Sequence, residues 1–230
     1  SGDAQLQVHP DYRHLEEEMI AWAEVNLAAD GEGGARTLNL FVNDYDAGRR
    51  RLLAERGYAE CAWGGVTRHL RLGRQPLATP QIAPGYTLRT TRSRQSLADS
   101  QAVADLLNAA FGRTSHTAQE IQVFTRLAPS FRPDLDLVAE AADGTLAAYV
   151  GIAYDPDNRL AIFEPVCTHP EHLRRGLART LMQEGLLRLR ALGAQDVIVG
   201  TGDMIPANRL YDSIGFTEAY RGHGWEKCTP

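Results

Sequence analysis

Three prolines divide this chain. Pro76, Pro80 and Pro84 stand within the thirteen residues Gly73 to Gly85, GRQPLATPQIAPG. Each proline fixes its own φ and has no backbone N–H to donate, so neither a helix interior nor a central strand can pass through the segment. No hydrophobic period crosses it either. It reads as a stiff linker, residues 73–85, between a first unit, 3–72, and a larger second unit, 86–230. Ser1-Gly2 is set aside as a cloning remnant.

The second unit alternates strand and helix patterns. Tyr86 to Arg89 reads as a short strand. Ser96 to Phe111 reads as a helix, with Ser96 to cap it and Gly112 to stop it. Ala118 to Leu127 is a second helix. Leu135 to Ala141 and Leu146 to Tyr154 form a strand pair around the turn Asp143-Gly144. Leu160 to Thr168 is a further strand, and Gly176 to Leu192 a long amphipathic helix closed by Gly193. Asp196 to Gly200 is a strand of buried type and Pro206 to Ile214 a short helix. Two short strands are expected around Phe216 to Tyr220 and Trp225 to Cys228. This order predicts an α/β fold with a mixed central sheet flanked by helices.

The two parts of the chain share landmarks. His9-Pro10 is followed 48 residues later by Gly57-Tyr58, and His169-Pro170 is followed 46 residues later by Gly215-Phe216. Each interval holds a helix, a strand (Leu38 to Val42, Val197 to Val199) and a second helix (Asp46 to Tyr58, Ile205 to Phe216). Nothing ahead of the first copy matches residues 86–160. The expectation is the C-terminal half of one domain, a linker, and a second, complete domain, with the first domain truncated.

The chemistry is concentrated in Val166 to Leu181, VCTHPEHLRRGLARTL. A strand runs into a tight turn rich in arginine, and the turn opens a helix. Unpaired N–H groups and the positive dipole end of a helix N-terminus suit a pyrophosphate. Gly176 and Ala178 let phosphate oxygens approach the backbone, and Arg174, Arg175 and Arg179 add positive charge. About thirty residues on come Ala207-Asn208-Arg209-Leu210-Tyr211 and Gly215-Phe216. RRGLA followed by A-N-R-L-Y-x-x-x-G-F, one strand apart, resembles the GNAT superfamily of acyl-CoA-dependent N-acetyltransferases, of the tandem-domain type, over residues 86–228.

The resemblance implies acetyl-CoA as co-substrate. It implies that Arg175, Gly176, Leu177 and Ala178, with Arg174 and Arg179, hold the pyrophosphate. It implies that Val166, Cys167 and Thr168 pair with the pantetheine arm, with the Val166 amide polarising the thioester carbonyl. Tyr211 is implied as the general acid for the leaving thiolate, and Asn208, one turn earlier, as a cofactor contact. Two positions depart from the family's pattern. Leu173 replaces a Gln or Arg, which removes one phosphate contact, and Met204 replaces an asparagine. For the base that deprotonates the acceptor ammonium, Glu164 is the candidate: it lies on the apolar strand AIFEPV and shares parity with Val166. Asp203 is the reserve.

Other readings carry less weight. The HxxH of His169 and His172 lacks the further ligands a metal needs, so no metal is expected. Cys167 reads as a packed strand residue and not as a nucleophile. Three scattered cysteines form neither a disulfide framework nor a metal pattern, which together with no signal peptide suits a reducing, cytoplasmic setting. A net charge of −5 and a pI of about 5.8 argue against nucleic acid as a partner, and no apolar run is long enough to span a membrane.

The first unit serves as a comparison. Glu16 and Glu18 fall where Gly176 and Ala178 stand in the second, and Leu53 falls where Tyr211 stands. A GNAT-like half-domain so altered is expected to be degenerate and to bind no CoA in the usual way. Its open sheet edge is expected to pair with the second domain or with another copy of the chain, a homodimer. The acceptor, a primary amine of a small molecule or a peptide, is expected to lie against residues 109–132, which include Arg113, His116, Arg126 and Arg132. The competing reading is an acyl-CoA-binding sensor or scaffold without catalysis.

Overall fold

The computed structural model describes residues 2–30, 34–93 and 95–229. Two compact units emerge. One comprises Ser1–Arg68 together with Thr201–Asn208 and Glu218–Pro230; the other comprises His69–Gly200 and Arg209–Thr217.

The first unit is a sheet backed by two helices. Its strands are β1 (Gly2–Ala4), β2 (Ala29–Asp30), β3 (Arg36–Asn43) and the leading part of β4 (Ala59–Arg71). The long C-terminal strand β10 (Thr217–Thr229) lies between β3 and β4 and runs antiparallel to β3, with Trp225 opposite Leu40. Period-2 alternation on β3 sends Leu38, Leu40 and Val42 to one face, where they meet Ile20 and Ala23 of α1 (Glu16–Asn26) and Leu53 of α2 (Ala47–Glu55). The two expected C-terminal strands are one: β10 runs unbroken through Gly222 and Gly224. Those glycines are not a turn. A Cβ on Gly222 would stand 2.5 Å from the Phe41 ring and one on Gly224 2.1 Å from the Trp63 ring, so the glycines make room for aromatic side chains of neighbouring strands.

At the head of α1, Glu16 is buried and bonded to two arginines, at 2.9 Å to Arg49 and 3.0 Å to Arg13. Removing the carboxylate leaves Asp46 as the remaining carboxylate partner of both arginines among the described residues, 2.6 Å from Arg13 and 3.7 Å from Arg49. Glu16→Ala is expected to cost about 1–3 kcal/mol, read from the denaturant midpoint, and no measurable loss would contradict this.

The second unit holds β5 (Tyr86–Thr90), β6 (Leu137–Ala141), β7 (Leu146–Asp155), β8 (Leu160–Thr168) and β9 (Asp196–Thr201, counted here to Gly200), in spatial order β9-β8-β7-β6-β5. Neighbours from β5 to β8 are antiparallel, and β8 and β9 are parallel. This is the mixed sheet expected. On one face α3 (Leu97–Phe111) packs Val103, Leu106 and Leu107 against Val138, Tyr149 and Cys167. On the other face lies α5 (Leu177–Ala191), where a Cβ on Gly185 would stand 2.5 Å from Ile152 and 2.9 Å from Phe163. The expected caps hold: Ser96 accepts from Asp99 N–H at 3.2 Å, and Gly112 ends α3 in the left-handed region. Residues 73–85 form neither helix nor strand. They lie as a strap along α5, with the Gln81 carbonyl accepting from Thr180 and the Gln75 carbonyl from Arg190.

Candidate active site

The site of the second unit begins where two parallel strands part. The β8–β9 register runs from Leu160 opposite Asp196 to Phe163 opposite Val199. Strand β8 continues through Glu164–Thr168. Its amides alternate sides, and the phase is fixed by His169, whose N–H donates to the Ala147 carbonyl at 2.8 Å. Counting back along the register of Ala148 with Thr168, Tyr149 with Cys167 and Val150 with Val166, the Cys167 amide points to β7. The Val166 and Thr168 amides point to the opposite side, where β9 no longer pairs. An extended ligand arm can add there as a strand would.

Past Thr168, a one-turn helix over Pro170–His172 leads into the arginine turn. Arg174 has φ 62° and Gly176 φ 74°, a left-handed pair of bends that brings the chain into α5. Gly176 is the N-cap of α5 and offers no side-chain cap. The first intrahelical bond runs from Thr180 N–H to the Gly176 carbonyl. The amides of Leu177, Ala178 and Arg179 thus lack helical partners. Arg174 and Arg175 are exposed beside them, and Arg175 rests over the Tyr86 ring at 5.8 Å. Tyr86 in turn bonds His172 Nδ1 at 2.8 Å. Arg179 donates to the Ser213 carbonyl at 3.4 Å. Leu173 is exposed and presents only hydrocarbon.

Tyr211 lies on α6 (Ile205–Ile214), 4% exposed, with its ring 6.1 Å from that of Phe216. Its carbonyl accepts from Gly215 and Phe216 N–H, which ends the helix. Asn208, on the part of α6 that belongs to the other unit, spends its amide group within that unit. It donates to the carbonyls of Gly202 and Met204 and accepts from Arg68. Asp203, the reserve base, is exposed and meets Arg221 at 3.3 Å.

Glu164 departs from the expected parity. Between Val150 opposite Val166 and Ile152 opposite Phe163, β8 carries one residue more than β7. Glu164 and Pro165 therefore both stand opposite Gly151 in a β-bulge, and the bulge shifts the alternation that would have placed Glu164 with Val166. Among the described residues no hydrogen bond or ion pair holds its carboxylate. It opens onto a cleft of about 540 Å³ together with Leu107, Phe111, Arg113, His116 and Phe124. Burial raises its pKa above the ordinary glutamate value. The cleft draws on the loop between α3 and α4 (Ala118–Leu127), with Arg113 and His116 among its lining and Arg126 in neither this cleft nor the one described next.

Glu164 and Phe124 also line a smaller cavity of about 200 Å³ with Arg132, Asp136, Tyr149 and Gly151. The sequence reading missed Asp136 and Tyr149. Their one signal was an aspartate among the apolar residues at the start of the run Leu135 to Ala141. Cys167 is buried, and burial pushes its thiol up to about 12, so it is no nucleophile at neutral pH. Among the described residues no group of three or more His, Cys, Asp or Glu side chains could hold a metal, and no helix is long and apolar enough to cross a membrane.

The acetyltransferase (GNAT) family matches residues 100–216. A mycothiol acetyltransferase of Kineococcus radiotolerans is 29% identical over 222 residues, covering 94% of this chain and 69% of that protein. A GCN5-related N-acetyltransferase from Sphaerobacter thermophilus has the same fold, with a TM-score of 0.75 at 22% identity over 98% of this chain and 72% of that one. A tandem GNAT protein from the clavulanic acid biosynthesis pathway follows with a TM-score of 0.74 at 19% identity, over 100% and 76% of the two chains. The family match spans the parted strands, the arginine turn and Tyr211, and by it the chain belongs to the GNAT family of acetyltransferases.

Proposed function

We propose that this chain transfers an acetyl group from acetyl-CoA to a primary amine of a small molecule or peptide, by direct attack, at one site in its second unit. The observation that carries the reading is the opening beyond Phe163, with the Val166 amide turned into it. The residues present fit the co-substrate. Uncapped amides of Leu177, Ala178 and Arg179, bare backbone at Gly176, and the charges of Arg174, Arg175 and Arg179 suit a pyrophosphate. The open side of Val166, Cys167 and Thr168 suits the pantetheine arm. Asn208, fully engaged with Arg68, Gly202 and Met204, is assigned to holding its own loop.

Bound acetyl-CoA supplies an acyl carbon activated as a thioester. Glu164 takes a proton from the acceptor ammonium, which frees the nitrogen lone pair. A C–N bond forms as the C–S bond breaks. The Val166 N–H donates to the carbonyl oxygen as negative charge builds there. Tyr211 gives a proton to the departing sulfur, and the second proton that the nitrogen loses in becoming the amide restores the Tyr211 hydroxyl. In the first unit the corresponding helix start is closed by Glu16, whose carboxylate occupies Arg13 and Arg49; this supports a single acetyl-CoA site per chain.

Thiol release with an amine panel tests the reading. Because Glu164 must be ionised, kcat/KM should rise with pH on a limb above the ordinary glutamate value of about 4.3. Glu164→Gln should lower kcat about 10²-fold and flatten that limb. A mutant with the full rate and an unchanged limb would remove Glu164 from the role. Leu173 favours a second reading, acyl-CoA binding without transfer, because it offers the phosphates no polar group. Binding of acetyl-CoA with no acceptor found in the panel would support it.

A further inference from the structure

Two carboxylates are deeply buried among the described residues, Glu16 and Asp136, each 3% exposed. Glu16 has two arginines. Asp136 has none. Its oxygens accept from the Thr91 hydroxyl and, at 2.6 Å, from the Tyr149 hydroxyl. A buried carboxylate without a cation is costly, and burial raises the Asp136 pKa above the usual aspartate value, so a cation at its side would be favoured. Asp136 instead borders the 200 Å³ cavity that Glu164 also lines. Arg132 borders it too, but its guanidinium forks onto Asp134 at 3.1 and 2.8 Å.

The sheet sets the spacing of the two acids. Leu137 pairs with Val150, so Asp136 stands opposite Gly151, and Gly151 stands opposite the Glu164–Pro165 bulge. Asp136, Gly151 and Glu164 lie in one row across three strands, two strand spacings or about 10 Å from end to end. Gly151 puts no side chain into the row, and the Tyr149 hydroxyl and the Glu164 carbonyl close over it. A Cβ there would stand 2.7 Å from the Glu164 carbonyl oxygen and 3.1 Å from the Tyr149 hydroxyl. Phe124 and Phe131, 6.2 Å apart and edge to face, wall the cavity with Tyr149. Aromatic faces hold ammonium groups as carboxylates do. The cavity has room for about six water-sized groups, at ~30 Å³ each.

We propose that this row is an acceptor site for a short α,ω-diamine, with one amine at Glu164 to be acetylated and the other ammonium held against Asp136. The proposal rests on the acetyl-transfer reading for the reacting end only; the ammonium seat at Asp136 stands on the cavity itself. The second ammonium stays protonated and bonded to carbon throughout.

The test compares 1,4-diaminobutane with 1-aminobutane on the intact chain. Calorimetry in the presence of CoA reads binding, and thiol release from acetyl-CoA reads transfer. The diamine should bind at least ~30-fold more tightly than the monoamine, with kcat/KM higher by a similar factor. Asp136→Asn should bring both ratios within ~3-fold of one. Equal binding of the two amines by the native chain, or a preference that survives Asp136→Asn, overturns the proposal. If Asp136→Asn does not fold, the native comparison still decides. Diamine-selective binding without thiol release keeps the ammonium seat and overturns the acetyl-transfer reading. Equal transfer to both amines does the reverse.

Discussion

Gly176→Glu is expected to raise the Kd for acetyl-CoA at least ~10³-fold, or about 4 kcal/mol, while the chain stays folded. The physics of the turn separates these two outcomes. Gly176 is the N-cap of α5 with φ 74°, and no atom lies within 4 Å of the place a Cβ would take. A side chain there meets backbone strain of roughly 1–2 kcal/mol, not a collision. A carboxylate at a helix start suits the dipole, which offsets part of that strain. The same carboxylate would satisfy the amides of Leu177, Ala178 and Arg179 and meet the nearby arginines. A pyrophosphate would then lose several charge-assisted bonds of about 1.5–3 kcal/mol each and face a like charge. Gly176→Ala is the control, since it carries the strain without the charge. It should weaken binding by no more than ~10-fold. If the two variants bind alike, the amides of α5 are not the phosphate site.

Tyr211→Phe is expected to lower kcat by roughly 10³-fold with the Kd for acetyl-CoA changed less than ~3-fold. The ring is buried on Phe216, and its packing role is met equally by phenylalanine. What the variant lacks is one acidic proton. A thiolate leaving without that proton is the poorer leaving group, so the loss should fall on the chemical step. Unchanged turnover would leave Tyr211 as a packing residue of α6. A loss shared equally between Kd and kcat would point to a displaced helix.

Much of the fold was legible because local rules and tertiary packing agree. Ser96, Gly112, the Asp143-Gly144 turn and the apolar period of α5 each act within a few residues, and each stands where the pattern placed it. Two features resisted for a physical reason. The segment with Gly222 and Gly224 separates two expected strands, yet those glycines sit inside one strand and admit rings from Phe41 and Trp63, contacts far apart in sequence. The bulge at Glu164–Pro165 depends on the register of β7, which no period within β8 reveals. Glu164 stood out in the sequence as a candidate, but its place in a bulge did not. Asp136 and Tyr149 come together only through the pairing of β6 with β7, so their shared cavity could not be read from either strand alone. The arginine turn was the most legible part of the candidate site. It is continuous in sequence, and its chemistry follows from an uncapped helix start.

In the proposed function the second unit alone holds acetyl-CoA, on α5 and the open side of β8. Calorimetric titration of acetyl-CoA into the chain tests it most directly. One site per chain is expected, lost in Gly176→Glu. Two sites per chain, or no binding at millimolar acetyl-CoA, would contradict it.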